Sequence, residues 1–94
     1  MPTDTQTIIV IPSLAGTRYT AGQVMEAAAT GDVVTLDFGG SFAVGQAFCD
    51  ELAKQLLEQR VTRIVLVGAS PRAHGYIRQS LRLRDSQNRT ELVF

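Results

Sequence analysis

The sequence predicts an α/β fold: a single domain of order β-α-β-α-β-α-β, with a mostly parallel sheet and helices packed on one face. The 94 residues, of which 45% are hydrophobic, suit one small globular domain over residues 1–94. Short apolar runs alternate along the chain with segments in which apolar residues recur at helical spacing. Strands separated by such helices favour right-handed crossovers, which make the strands parallel.

The first part of the chain contains two predicted strands with a helix between them. In chain order, these elements are Thr7–Ile11, Ala21–Thr30 and Val33–Phe38. The first run is β-branched and stops at Pro12, which is typical of a strand with an irregular exit. Thr20 is a candidate N-cap of the helix, and Gly31 is its candidate end. The second strand carries apolar residues on both sides, as expected of a buried strand.

The second part of the chain contains two longer predicted helices and two more strands. In chain order, these elements are Val44–Arg60, Thr62–Val67, a helix from Pro71 to about Leu83, and Thr90–Phe94. An apolar stripe with polar residues opposite it indicates the first of these helices. Ser70 is an N-cap followed by proline at the first helical position, which is a strong start signal. The last strand is expected at an edge, where it can also pair with another chain and form a dimer.

The formal net charge of zero divides into two halves of opposite sign. Residues 1–53 carry one base against six acids, a net of −5, and residues 54–94 carry eight bases against three acids, a net of +5. The total excludes a protein that coats nucleic acid by bulk electrostatics. Arginine forks nevertheless bind carboxylates and phosphates bidentately. The candidate anion-binding or nucleic-acid-binding residues on the third helix are Arg72, Arg78, Arg82 and Arg84. The alternative is that these arginines belong to a solvated surface of mixed charge.

Few residues have the chemistry or the spacing of a catalytic or metal site. Neither the phosphate-loop motif nor the G-x-G-x-x-G dinucleotide motif is present. His74 is the only histidine and Cys49 the only cysteine, which excludes a two-histidine metal site, an internal disulfide and a cysteine-based zinc site. Cys49 lies on the apolar stripe, where a buried thiol normally serves packing. The sequence therefore predicts no catalytic residue, no metal and no cofactor, with an enzyme using Cys49 and His74 as a less favoured alternative.

No apolar run in the sequence is longer than Ile8–Ile11. A run of this length excludes a transmembrane helix and the core of a signal peptide. We therefore expect a cytoplasmic protein without a membrane partner.

Two adjacent carboxylates on the second predicted helix, Asp50 and Glu51, have two interpretations. Both follow the first helical turn, where the helix dipole contributes little. Arg18, the only base in the first 53 residues, is a candidate partner that would join the first helix to the second in a structural ion pair. In the alternative, the two carboxylates belong to the polar face of their helix.

Three ordered segments resemble the STAS-like domain family. They are Thr17–Ala21 before the first helix, Leu36–Gly40, and Val44–Leu52. The family shows an arginine at the helix start, a strand ending in D-F-x-G, and a segment similar to G-Q-x-F-A-D-E. The likeness spans about residues 7–84, and Cys49 stands where the family usually has alanine. The resemblance implies a fold like that of sulfate-transporter and anti-sigma-factor-antagonist domains.

The resemblance also implies a regulatory function in signalling, in a prokaryote or a phage. In those relatives, a partner kinase phosphorylates a serine at the start of the helix that follows the D-x-x-G strand. That position here falls at Gly45-Gln46, and neither residue can be phosphorylated. Ser41, in the preceding loop, is the fallback. STAS-like domains often accompany a histidine-kinase-type ATPase, which this chain would meet in trans.

The leading hypothesis is a non-enzymatic regulatory domain that docks a larger protein partner through the Gly39–Gln46 loop and the following helix. The candidate partner-binding residues are Gly40, Ser41, Gly45, Gln46, Asp50 and Glu51. One alternative is a small phage-encoded inhibitor that blocks a host complex. The other is a nucleic-acid or phosphate binder that uses the arginine-rich third helix.

Overall fold

The computed structural model describes residues 6–26, 31–39 and 43–93 of the chain. Within them the strands are β1 (Gln6–Val10), β2 (Leu14–Ala15), β3 (Val33–Asp37), β4 (Ala43–Val44), β5 (Arg63–Val67) and β6 (Glu91–Val93). The helices are α1 (Arg18–Glu26), α2 (Gln46–Glu58) and α3 (Pro71–Arg84). The predicted α/β class, with a mostly parallel sheet and three helices, is confirmed.

Four strands form the main sheet in the order β1-β3-β5-β6, and every neighbouring pair is parallel. Because each strand lies beside the next main-sheet strand in the chain, right-handed crossovers place the connecting helices on one face. Helix α2 lies in the middle of the helix layer and packs against both α1 and α3. The register sets Ile9 opposite Leu36 and Leu36 opposite Leu66, so this buried row faces the helices.

The core lies between the helix layer and the inner face of the sheet. Helix α2 contributes Phe48, Leu52 and Leu56, each with no exposed surface, and they belong to the apolar stripe that the sequence predicts. Burying a side chain of this size contributes about 1.5–3 kcal/mol. Helix α2 is therefore held firmly against the sheet, and its first turn has a fixed place in the fold.

A second, two-stranded parallel sheet joins β2 to β4 and changes where α2 begins. Ala15 pairs with Val44, and the Gly45 N–H donates to the Ala15 carbonyl at 2.8 Å. Val44, which the sequence assigns to the helix, is thus strand, and α2 starts at Gln46. A Cβ on Gly45 would lie 2.9 Å from the Gly16 carbonyl oxygen, so this close crossing of two loops requires glycine.

A hydroxyl side chain caps the start of both α1 and α3. The cap of α3 is the predicted residue, whereas the cap of α1 is not. In α3 the Ser70 Oγ accepts from the Ala73 N–H at 3.1 Å, which confirms the predicted cap. In α1 the cap is Thr17, whose Oγ1 accepts from the Thr20 N–H at 3.1 Å. Thr20 therefore lies inside α1, and the prediction that it caps the helix is wrong. The predicted helix residues 27–30 lie outside the described residues.

The sheet face opposite the helices carries exposed apolar side chains. Ile8 and Val10 on β1 are each 70% exposed, and Val67 on β5 is 46% exposed. The register places Val10, Asp37 and Val67 in one row across this face. Parallel sheets usually have both faces covered, so this open face distinguishes the domain from a doubly wound fold.

Candidate functional site

A cleft of about 990 Å³ lies at the carboxyl ends of the central strands. Phe38 and Gly68 reach it directly after β3 and β5, and Leu14 reaches it from β2. Neighbouring strands of the main sheet are parallel, so their carboxyl ends lie at one edge and the segments after β3 and β5 meet there. We call this feature the carboxyl-end cleft.

Two close loop crossings shape the carboxyl-end cleft. Gly45 lies against Gly16, as described above, and Gly68 lies against Gly39. Gly68 has φ of +70°, and a Cβ there would lie 3.1 Å from the Gly39 Cα and nitrogen. A side chain at Gly68 would therefore be strained in its backbone and would push against the loop after β3.

All three helices begin beside the carboxyl-end cleft. Thr17 and Thr20 of the α1 start, Gly45 before α2, and Arg72 in the first turn of α3 line it. Among the ion pairs of the described residues, none involves Arg72. The lining of the cleft thus combines apolar residues with hydroxyl groups and the positive charge of Arg72.

A second feature, which we call the carboxylate cluster, consists of Asp50 and Glu51 of α2 with Arg18 of α1 and Arg84 of α3. Arg84 donates from Nε to Asp50 Oδ1 at 2.9 Å and from Nη2 to Oδ2 at 2.7 Å. Arg18 Nη1 donates to the same Oδ2 at 2.8 Å. The Arg84 hydrogen bond, assisted by those of Arg18 and Ser80, holds the pKa of Asp50 well below its ordinary value.

Glu51 occupies the other side of the cluster. Gln55 Nε2 donates to its Oε2 at 2.9 Å, and this bond is the main reason that the pKa of Glu51 is lowered. Arg18 Nη1 lies 3.5 Å from Oε1, and Lys54 Nζ lies 3.8 Å from Oε2. The side chains of Asp50 and Glu51 are only 17% and 16% exposed. Each carboxylate is therefore engaged within the fold, and the pair ties α2 to both neighbouring helices.

The six candidate partner-binding residues are distributed over three places. Gly45 lines the carboxyl-end cleft, whereas Asp50 and Glu51 belong to the carboxylate cluster. Gln46 is exposed at the start of α2 and, together with Arg18 and Asp50, lines a groove of about 290 Å³. Gly40 and Ser41 lie outside the described residues.

The four candidate arginines of α3 also separate. Arg72 lines the carboxyl-end cleft, and Arg84 is bound by Asp50. Arg78 and Arg82 line a groove of about 480 Å³ together with Arg89, which the sequence interpretation did not include. We call this groove the basic groove. Arg89 reaches it because its own N–H and that of Thr90 donate to the Asp85 carboxylate and fold the turn back.

Cys49 and His74 have different surroundings. The Cys49 side chain is fully buried on α2, and burial raises the pKa of the thiol to about 12. His74 is half-buried in the first turn of α3.

In the described part of the chain, His, Cys, Asp and Glu form no group of three or more that could hold a metal ion. Within the described residues, every helix is too short or too polar to span a membrane.

Comparison of the chain with protein-family models, curated proteins and solved structures gives no match. The resemblance to STAS-like domains therefore rests on the sequence segments quoted above. Its three segments lie around the carboxyl-end cleft and the carboxylate cluster: Thr17–Ala21 at the start of α1, Leu36–Gly40 at the end of β3, and Val44–Leu52 at the start of α2. Gly40, at the end of the second segment, is outside the described residues.

Proposed function

We propose that this chain is a non-enzymatic, STAS-like regulatory domain of the cytoplasm that docks a larger protein partner. The docking surface is the Gly39–Gln46 loop, the start of α2 and the adjoining carboxyl-end cleft. The observation that carries the proposal is the cleft itself, a concavity of about 990 Å³ at the edge of the sheet where the loops meet. A histidine-kinase-type ATPase, met in trans, is the class of partner that the resemblance suggests.

Exposed apolar side chains beside the cleft support protein binding. Leu14, which lines the cleft, is 63% exposed, and Tyr19, in the first turn of α1, is 75% exposed. Tyrosine and other large apolar residues at the rim of a concave surface are frequent anchors in protein interfaces. A partner that inserts a side chain into the cleft would cover Leu14.

The state of Cys49 supports a binding role over an enzymatic one. A thiol with no exposed surface and a pKa of about 12 is protonated at neutral pH and out of reach of a substrate. We expect the native protein to react with a thiol-specific disulfide reagent at least about tenfold more slowly than the urea-unfolded protein. A native rate equal to the unfolded rate would contradict this assignment and favour the enzyme that uses Cys49.

The carboxylate cluster contributes to the proposed function by positioning. Arg18 and Arg84 occupy the oxygens of Asp50 from two sides, which orients the first turns of α2 relative to α1 and α3. Gln46 stands one turn before Asp50 and is exposed, so it is available to a partner. We therefore assign direct contact to Gln46 and Gly45, and support of that surface to Asp50 and Glu51.

The experiment is affinity capture from the native host, identification of the captured protein by mass spectrometry, and titration of the purified partner. Leu14→Asp and Gln46→Arg change the proposed surface, and each is expected to weaken binding by at least about tenfold. Gln87→Arg is the matched control, because Gln87 is exposed in the turn before β6, at the opposite end of the sheet. Equal affinity of all four proteins would remove the loop and the cleft from the interface.

A further inference from the structure

The basic groove brings together three arginines that form no ion pair among the described residues. It lies between the C-terminal half of α3 and strand β6, and Arg78, Arg82 and Arg89 line it. In that part of the chain, none of these three arginines belongs to an ion pair. Arg78 and Arg82 are four residues apart on one helix, so they project from the same side.

Both acidic residues of the groove are engaged by other donors. Asp85 accepts from the N–H groups of Arg89 and Thr90 at 3.1 and 2.9 Å. Glu91 accepts from Arg63 Nε at 2.9 Å. The three arginines of the groove, which form no ion pair among the described residues, outnumber these two carboxylates by one and leave the groove with a net positive charge. Carboxylates and phosphates are the groups that arginine binds best.

The same groove adjoins an open edge of the main sheet. Among the described residues, β6 is the outermost strand of the main sheet and pairs with β5 on its inner side. The Glu91 N–H donates to the Thr62 carbonyl at 2.8 Å, toward β5. Since successive residues of a strand direct their backbone groups to opposite sides, Leu92 directs its N–H and C=O outward from the sheet. An extended chain can pair with these groups.

We propose that β6 and the basic groove bind an extended, acidic segment of a protein partner as an added strand. Side chains of an added strand alternate between the two faces of the sheet. Those on the helix side, where Leu92 also points, would place carboxylates against Arg78, Arg82 and Arg89. Those on the other side would extend the apolar row that contains Val65 and Val93. The partner segment therefore alternates acidic and apolar residues.

Two observations favour such a peptide over other ligands. A nucleic acid can use the arginines but leaves the outward N–H and C=O of Leu92 without strand pairing. A second copy of this chain, paired edge to edge through β6, would bring together two grooves that each carry three arginines against two carboxylates, so that like net charges would face each other. An acidic peptide satisfies both the backbone edge and the charges.

The test is a fluorescence-anisotropy titration of the full chain with a labelled peptide of alternating glutamate and valine. We expect the double variant Arg78→Gln/Arg82→Gln to bind at least about tenfold more weakly, because two bidentate charge contacts are lost. Lys54→Gln, which removes a half-exposed charge of α2 that lines neither the basic groove nor the carboxyl-end cleft, should bind within about twofold of the unchanged protein. A peptide with glutamine for glutamate should bind about tenfold more weakly. Equal affinity of the double variant, or no binding at low salt, overturns the proposal.

A second peptide and a competitor test the strand pairing itself. Methylating the backbone nitrogens at alternate positions keeps the charges of the peptide but removes donors, so binding should fall by at least about tenfold if a strand is added. Unchanged affinity of the methylated peptide would overturn strand addition. Displacement of the peptide by a single-stranded oligoribonucleotide of higher affinity would identify a nucleic-acid site and overturn the proposal as well.

Discussion

The carboxylate cluster and the basic groove use the same chemistry in opposite ways, and α3 contributes arginines to both. Arg84 is bound by both oxygens of Asp50, whereas Arg82, two residues before it, faces the basic groove. Both lie in the last turn of α3, so the helix dipole favours them equally. Their difference arises from the helix packing, which brings Asp50 within reach of Arg84 and leaves Arg82 in the lining of the basic groove.

The comparison shows how a chain of zero net charge can hold both a structural and a binding arginine. In the carboxylate cluster the charges are compensated inside the fold and contribute to the stability of the helix layer. In the basic groove three arginines face two carboxylates and form no ion pair among the described residues, so a net positive charge is left for a ligand. A charge count assigns neither role, because the role depends on which carboxylate the packing places nearby.

The largest expected effect is that of Asp50→Asn. This change leaves the guanidinium groups of Arg18 and Arg84 beside each other without their shared carboxylate. We expect the free energy of unfolding to fall by about 1–2 kcal/mol, at the lower part of the range for charged hydrogen bonds since Arg18 is half exposed. Urea unfolding measures the loss, with Glu26→Gln, an exposed acid at the end of α1, as the control. An equal loss in both variants would mean that the cluster has no special role.

The pH dependence of stability provides a second test of the contribution of Asp50. Because the pKa of Asp50 is lower in the folded chain than its ordinary value of 3.8, its contribution is present above that value and is lost as the pH falls through the folded pKa. The difference in unfolding free energy between the unchanged protein and Asp50→Asn should therefore shrink from about pH 5 to about pH 2. A difference that stays constant over this range would contradict the assigned pKa direction.

A smaller effect is expected at the exposed ion pair of β5 and β6. Arg63 Nε lies 2.9 Å from Glu91 Oε1, but the two side chains are 53% and 60% exposed. Pairs of this kind contribute about 0–1 kcal/mol and weaken with salt. We expect Arg63→Gln to lower the free energy of unfolding by less than about 0.5 kcal/mol at physiological salt. A loss as large as that of Asp50→Asn would show that exposure does not separate the two kinds of pair.

The sequence was sufficient for the strand–helix alternation but not for the loops that build the cleft. The apolar stripe of α2 and the Ser70-Pro71 start of α3 are strong local signals, and both elements form where they indicate. Strands β2 and β4 have two residues each and pair across a long stretch of chain. So short a strand has no periodicity to detect, and for this reason the sequence pattern places Val44 in the helix.

The carboxylate cluster was accessible to sequence reasoning only in part. Arg18 was an evident candidate because it is the only base in the first 53 residues. Arg84 was not, because it lies 34 residues from Asp50 and is one of several arginines at similar helical spacing. The cap of α1 is equally hard to choose from the sequence. Thr17 and Thr20 are both threonines that can cap a helix, and the local backbone decides between them.

The division between structural and binding arginines is tested most directly by comparing Arg84→Gln with Arg82→Gln in urea unfolding under identical conditions. The two variants remove the same charge from the same helical turn. We predict that Arg84→Gln lowers the free energy of unfolding by about 1–2 kcal/mol, because Asp50 loses its bidentate partner, and that Arg82→Gln changes it by less than about 0.5 kcal/mol. Equal losses in the two variants, or a larger loss in Arg82→Gln, would contradict this division.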